Sequence, residues 1–184
     1  MPNLIASMNI TLDGFCDHTA GIADEELHQH YTDLLNDAGA ILYGRITYQL
    51  MENFWPTIVE KPTGQKDMDD FAMAIHNVPK ILFSHTLHSV SWENTRLAKN
   101  SLEEEVRALK QQPGKDIFVG SPSLIASLTR LRLIDQYQLC VHPVILGRGL
   151  PLFKDISERS VLKLTKTKTF GTGVMALYYD AEGK

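Results

Sequence analysis

At 184 residues, with hydrophobic and charged contents of 43% and 22% that sit near globular averages, the chain fits one domain with a continuous core and leaves no room for a second catalytic domain. A formal net charge of -4 excludes a polyanion-binding surface, so neither nucleic acid nor an anionic membrane is an expected partner. Cys16 and Cys140 form no C-x-x-C spacing, the first apolar run breaks at Asn9 without the basic flank of a signal peptide, and no run is long enough to span a bilayer; the expected setting is a reducing cytoplasm.

Residues 4–10 read as a buried strand, followed by a loop around Asp13-Gly14 that runs to Gly21. Asp24, Glu25 and Glu26 form an acidic first turn, and Leu27, Tyr31, Leu34 and Leu35 share one face of a helix that Gly39 ends. Residues 40–43 are a short apolar strand, and Gly44-Arg45-Ile46-Thr47 opens a second helix through Met51. Pro56, Pro62, Gly64 and interspersed charges predict a surface loop from 55 to 70, leading into a helix around 69–76. A strand at 78–83 comes next. Ser101 with Glu104 has capping-box spacing for a helix at 101–110. Residues 117–120 are strand and 121–131 helix, and the pattern then changes to long strands at 137–145, 161–168 and 174–179, the last two joined by a hairpin through Phe170-Gly171-Thr172-Gly173. Strand–helix units followed by antiparallel strands predict a mixed sheet flanked by helices.

Three junctions share a chemistry: a strand ends, a small or polar residue follows, and polar groups open the next element. At Gly44-Arg45-Ile46-Thr47 the glycine permits close backbone approach, and free N–H groups, the Thr47 hydroxyl and the Arg45 guanidinium could face a phosphate, although this junction alone reads first as a tight turn with a solvated arginine. Ser84-His85-Thr86 ends a buried strand in groups that can accept a ribose or a 2'-phosphate; a strand end in water is the equal reading for Ser84 and the favoured one for His85 and His88. Gly120-Ser121 precedes a helix N-terminus and resembles a pyrophosphate cradle, with Pro122 removing one donor. No Rossmann G-x-G-x-x-G or P-loop is present.

In this order, Thr11-Leu12-Asp13-Gly14, Tyr43-Gly44-Arg45-Ile46-Thr47-Tyr48, Lys80-Ile81-Leu82-Phe83-Ser84, Val119-Gly120-Ser121 and the run from Pro143 through Gly147-Arg148-Gly149 to Phe153 make the chain resemble the dihydrofolate-reductase superfamily. Within it, the similarity is to the reductase domain of the bacterial riboflavin-biosynthesis deaminase-reductase and its stand-alone relatives, over nearly the whole chain. The resemblance implies a single domain over 1–184 with a three-layer α/β/α fold, whose mixed, mostly parallel sheet carries antiparallel C-terminal strands. It implies NADPH as cofactor, with Arg45 and Thr47 at its phosphates beside Gly44, Ser84 at its adenosine end, and Gly120 and Ser121 at its pyrophosphate. Ala6 and Ser7 would lie near the nicotinamide and Asp13-Gly14 on a mobile loop that closes over it. A homodimer is implied as well.

Departures from the family pattern narrow the chemistry. The W-x-L-P of true folate reductases and the following acid are missing in that form, and His28 stands nearest the acid's place. The H-x-E and P-C-x-x-C of the zinc deaminase are absent, so only a reductase role is implied. The expectation is hydride transfer from NADPH to a C=N or C=O carbon of a small heterocyclic or carbonyl substrate, 5-amino-6-(5-phosphoribosylamino)uracil among them, with Asp13, His28, Glu26 or water as proton donor. Leu146-Gly147-Arg148-Gly149 reads as a connecting turn, with a contact to a phosphorylated substrate as the other reading. A catalytically silent nucleotide-binding module and a dimeric structural protein are the rival functions.

Overall fold

Apolar runs such as Leu4-Ile5-Ala6 and Ile117-Phe118-Val119 lack polar alternation because both faces of these strands are covered, as parallel central strands require. The computed structural model describes residues 1–182. Its elements in chain order are β1 (Leu4–Thr11), α1 (Glu25–Asn36), β2 (Ala40–Gly44), α2 (Arg45–Glu52), α3 (Trp55–Glu60), α4 (Lys66–Asn77), β3 (Lys80–Phe83), β4 (Thr95–Leu97), α5 (Leu102–Gln111), β5 (Ile117–Val119), α6 (Pro122–Arg130), β6 (Gln136–His142), β7 (Leu162–Thr169) and β8 (Met175–Ala181). The strands form one sheet in the order β4-β3-β2-β5-β1-β6-β8-β7. From β4 to β6 every pairing is parallel, and β8 and β7 add antiparallel.

One face of the sheet packs Ala6, Leu42 and Val119 against Val106 of α5 and Ile125 and Leu128 of α6. The other packs Ile5, Ile41 and Leu82 against Leu35 of α1 and Phe71 and Ile75 of α4. The result is the expected three-layer α/β/α arrangement with antiparallel C-terminal strands. Among the described residues no helix is long and apolar enough to cross a membrane.

Helix starts follow the sequence signals. The Asp24 carboxylate accepts from Leu27 N–H, and Ser101 and Glu104 form a reciprocal capping box. Three expectations are corrected. The stretch read as a loop from 55 to 70 holds α3 and the first turn of α4, because Pro56 sits at the start of α3, where its missing N–H is harmless, and the Trp55 ring packs 4.4 Å from that of Phe71. Strand β4 was not anticipated; it is three residues long and joins the edge of β3 after Asn94 turns through positive φ. Strand β6 stops at His142 rather than 145, since Val144 N–H bonds back to the His142 carbonyl at 2.8 Å.

Candidate functional site

Strands β1, β2, β3, β5 and β6 run parallel, so their carboxyl ends share one edge of the sheet. Pairing of β1 with β5 stops at Ala6 opposite Val119, whereas pairing of β1 with β6 continues to Thr11 opposite His142. Gly120 and Ser121 turn the chain away from the sheet into α6 at that point. Residues 7–11 of β1 therefore have no strand partner on their β5 side, and we call this gap the crevice; it lies where the strand order reverses, the place at which open α/β sheets hold ligands.

On the α6 side of this edge lies a cavity of about 890 Å³, within the size range of cofactor sites, lined by Gly44, Arg45, Thr47, Ser84, Lys99 and Ser123 among others. Helices α2 and α6 both begin without a side-chain cap, leaving first-turn N–H groups free. Two positive helix ends, the Arg45 guanidinium and the Lys99 ammonium give the cavity a positively charged lining. Arg45 Nη1 donates to Gln49 Oε1 at 3.2 Å, which leaves most of its donors unused.

The structure divides the residues singled out by sequence. Gly44, Arg45, Thr47 and Ser84 meet in the cavity wall. The Gly44 N–H is not a free donor, because it bonds the Ser121 hydroxyl at 2.9 Å; Ser121 is 1% exposed and braces α2 from behind. Gly120 backs onto Tyr43, whose ring would lie 3.3 Å from a Cβ at that position. Ser84 Oγ accepts the Thr86 and Leu87 N–H groups and so shapes its own turn, keeping its hydrogen to donate. Ala6 faces the α5–α6 core and Ser7 the α1 side, where its buried Oγ lies beside the Tyr31 phenol without a hydrogen bond of ordinary geometry.

The expected proton donors have other partners. Asp13 accepts from the Thr11 hydroxyl at 2.6 Å and from the Gly147 N–H at 2.7 Å, which hold its carboxyl down at about 2. It is an ionised clasp with no proton to give near neutrality. Gly14, at φ +84, lets the loop turn while its carbonyl accepts from Leu152 N–H, so Asp13-Gly14 is hydrogen-bonded to residues 146–152. The Leu146 and Gly147 amides face Asp13. His28 Nδ1 lies 2.7 Å from Asp67 on α4, and that contact lowers the Asp67 pKa. Glu26 is held by Gly171 N–H and Lys168 in the β7–β8 hairpin region.

Sequence reasoning missed a polar cluster on the α1 face of the same edge: Asn9, Tyr31 and His142, joined through Asn9 Oδ1 at 3.0 Å from both the phenol and the imidazole. The signal was available in the strand itself, where Ser7, Asn9 and Thr11 alternate with apolar residues.

With this geometry in place, comparison with known proteins is informative. The model of the RibD C-terminal domain family matches residues 2–176. The uncharacterized protein YyaP of Bacillus subtilis (strain 168) is 36% identical over 184 residues, 98% of this chain and 95% of that protein. Among solved structures, a protein from Shewanella sp. PV-4 named for riboflavin biosynthesis superposes with a TM-score of 0.75 at 17% identity, covering 98% of this chain and 99% of its own. The diaminohydroxyphosphoribosylaminopyrimidine deaminase/5-amino-6-(5-phosphoribosylamino)uracil reductase of Thermotoga maritima superposes at 0.66 and 18% identity, covering 98% of this chain and 56% of that one. At these identities the structural matches speak for the fold.

Proposed function

The chain belongs to the RibD C-terminal domain family, and from that premise we propose that it is a reductase that uses NADPH to reduce a C=N or C=O bond of a small heterocycle. The observation that carries this reading is the convergence of two uncapped helix N-termini with Arg45 and Lys99 on one cavity at the carboxyl edge of the parallel strands. These groups fit a dinucleotide phosphate chain: Arg45, Thr47 and the first turns of α2 and α6 would hold the phosphates, and Ser84 the adenosine end. The buried Ser7 hydroxyl, lacking a well-formed bond of its own, fits a polar ring group entering the crevice. When bound, the cofactor supplies the hydride; the chain's own share is to orient both molecules and exclude water. We propose water at the crevice mouth or His28, whose ring is oriented through Nδ1 by Asp67 with Nε2 left to act, as the source of the balancing proton, Asp13 being ionised near neutrality. The uracil derivative named in the Thermotoga protein's activity is the first substrate to assay.

Calorimetric titration with NADPH and with NADH tests the reading. NADPH is expected to bind more tightly, and Arg45→Ala to weaken it by roughly 1.5–3 kcal/mol, the scale of a charge-assisted contact, with a smaller loss for NADH. Equal losses would move Arg45 to the pyrophosphate. Failure of the wild-type protein to bind either nucleotide would sink the assignment, while NADPH binding without oxidation by any substrate would leave a silent nucleotide-binding module.

A further inference from the structure

We propose that Asn9 binds the substrate, its side-chain amide presenting two N–H donors to a ring carbonyl or ring nitrogen of the heterocycle being reduced. The proposal rests on the reductase reading above and adds to it the group that reads the substrate.

The argument begins at His142, which is 2% exposed. Its Nδ1 lies 2.9 Å from the Ile22 main-chain nitrogen. A main-chain N–H can only donate, so Nδ1 is an acceptor without a proton, and the neutral ring carries its hydrogen on Nε2. That hydrogen points at the Asn9 side chain, 3.0 Å away. The Tyr31 hydroxyl reaches the same Asn9 atom at 3.0 Å, from a phenol that burial keeps protonated. An atom accepting from the imidazole N–H must be the amide oxygen. The orientation of Asn9 thus follows from chemistry: Oδ1 faces inward onto two donors and Nδ2 faces away from them.

That NH₂ group has no acceptor among the described residues, and Asn9 is exposed. Asn9 stands two residues beyond Ser7 on the same face of β1, past the point where β5 leaves the strand. Two donors are therefore held in a fixed direction at the crevice, with their ordering cost already met by the fold, which is the condition under which a hydrogen bond discriminates between ligands. Amide donors serve any oxygen or ring-nitrogen acceptor, and on the heterocycle proposed as substrate that acceptor is a ring carbonyl, the group a pyrimidinedione carries. Tyr31 and His142 act through Asn9 and are positioning residues.

The test uses 5,6-diaminouracil as the probe, with the protein saturated with NADP⁺ so that no turnover intervenes. Asn9→Asp keeps an oxygen for Tyr31 and His142 and removes both donors. The expected result is movement of the Asn9 side-chain amide resonances of the ¹⁵N-labelled wild-type protein as the probe is added, with at least tenfold weaker probe binding by Asn9→Asp at unchanged NADPH affinity and thermal midpoint. Equal probe affinity in the two proteins overturns the proposal, as do Asn9 amide resonances that stay in place at the highest attainable probe concentration. A ¹⁵N spectrum showing the His142 proton on Nδ1 overturns it as well, and needs no variant. Loss of the reductase reading is seen separately, as failure of the wild-type protein to bind NADPH at all.

Discussion

Lys80 shows how far a single residue can depart from its surface habit. It is 1% exposed, yet its Nζ donates to the carbonyl oxygens of Ile75, His76 and Val78, each at 2.9 Å, and stands 4.4 Å above the Trp92 ring. The lysine supplies the end of α4 with the cation that a helix C-terminus favours and satisfies carbonyls that would otherwise be buried bare. Burial draws its ammonium down to about 8, still protonated near neutrality. Lys80→Met should cost roughly 2–4 kcal/mol, because it strands these acceptors while leaving the packing volume nearly unchanged. Urea unfolding measures it, and a loss under about 0.5 kcal/mol would show that water replaces the ammonium. The sequence shows a lysine in an apolar strand just after a helix end; it does not show the turn through Val78 and Pro79 that folds the Ile75, His76 and Val78 carbonyls, all within five residues of Lys80, onto the ammonium. Asn9 was more legible: the alternation of residues 7, 9 and 11 marks one face of β1 as polar, and only the partners on α1 and β6 needed the fold.

Among the elements, α2 and α6 are joined at their N-termini by one bond, from the Gly44 N–H to the Ser121 hydroxyl. Ser121→Ala would leave that buried donor unpaired at a cost of about 1–3 kcal/mol. Because the two helix starts form a wall of the cavity proposed for the cofactor, the same substitution should weaken NADPH binding although Ser121 does not line the cavity; thermal unfolding and nucleotide titration read the two effects independently. Tight nucleotide binding in a destabilised Ser121→Ala protein would uncouple the helices from the site. Helix starts were the best-read features of the sequence, as caps are local: Asp24 and the Ser101–Glu104 box stand where their spacing put them. Helix α3 was missed for the opposite reason. Pro56 breaks a helix interior but suits a helix start, and the choice between those roles is made by the contact of Trp55 with Phe71, remote in sequence.

Across the whole molecule, the exit of the first strand is fastened to a segment more than 130 residues later. Asp13 holds Gly147, Leu12 N–H bonds Val144, Cys16 N–H bonds Leu150 and Leu152 N–H bonds Gly14. The Thr11 hydroxyl and the Gly147 amide depress the Asp13 pKa from 3.8 to about 2, so the clasp contributes its full stability above the unfolded value and loses it as pH falls toward 2. Asp17, Asp67, Asp69 and Glu104 shift in the same direction. Asp13→Asn should lower the thermal midpoint near neutrality and flatten its decline between about pH 4 and 2; a decline as steep as in the parent protein would assign acid sensitivity to the other four carboxyls. The motif order in the sequence carried the layers and the antiparallel end of the sheet. Local pattern could not show that β1 and β5 part company after Ala6, which is a matter of register. The position of β5 also governs when the molecule can form. Strands β1 and β2 leave the ribosome first but are not neighbours; the three residues of β5, more than 70 positions after β2, must be inserted between them before the central sheet is continuous. A nascent chain that has not reached Ile117 therefore lacks the strand that joins β1 to β2, and synthesis must run well past its midpoint before the parallel sheet can close.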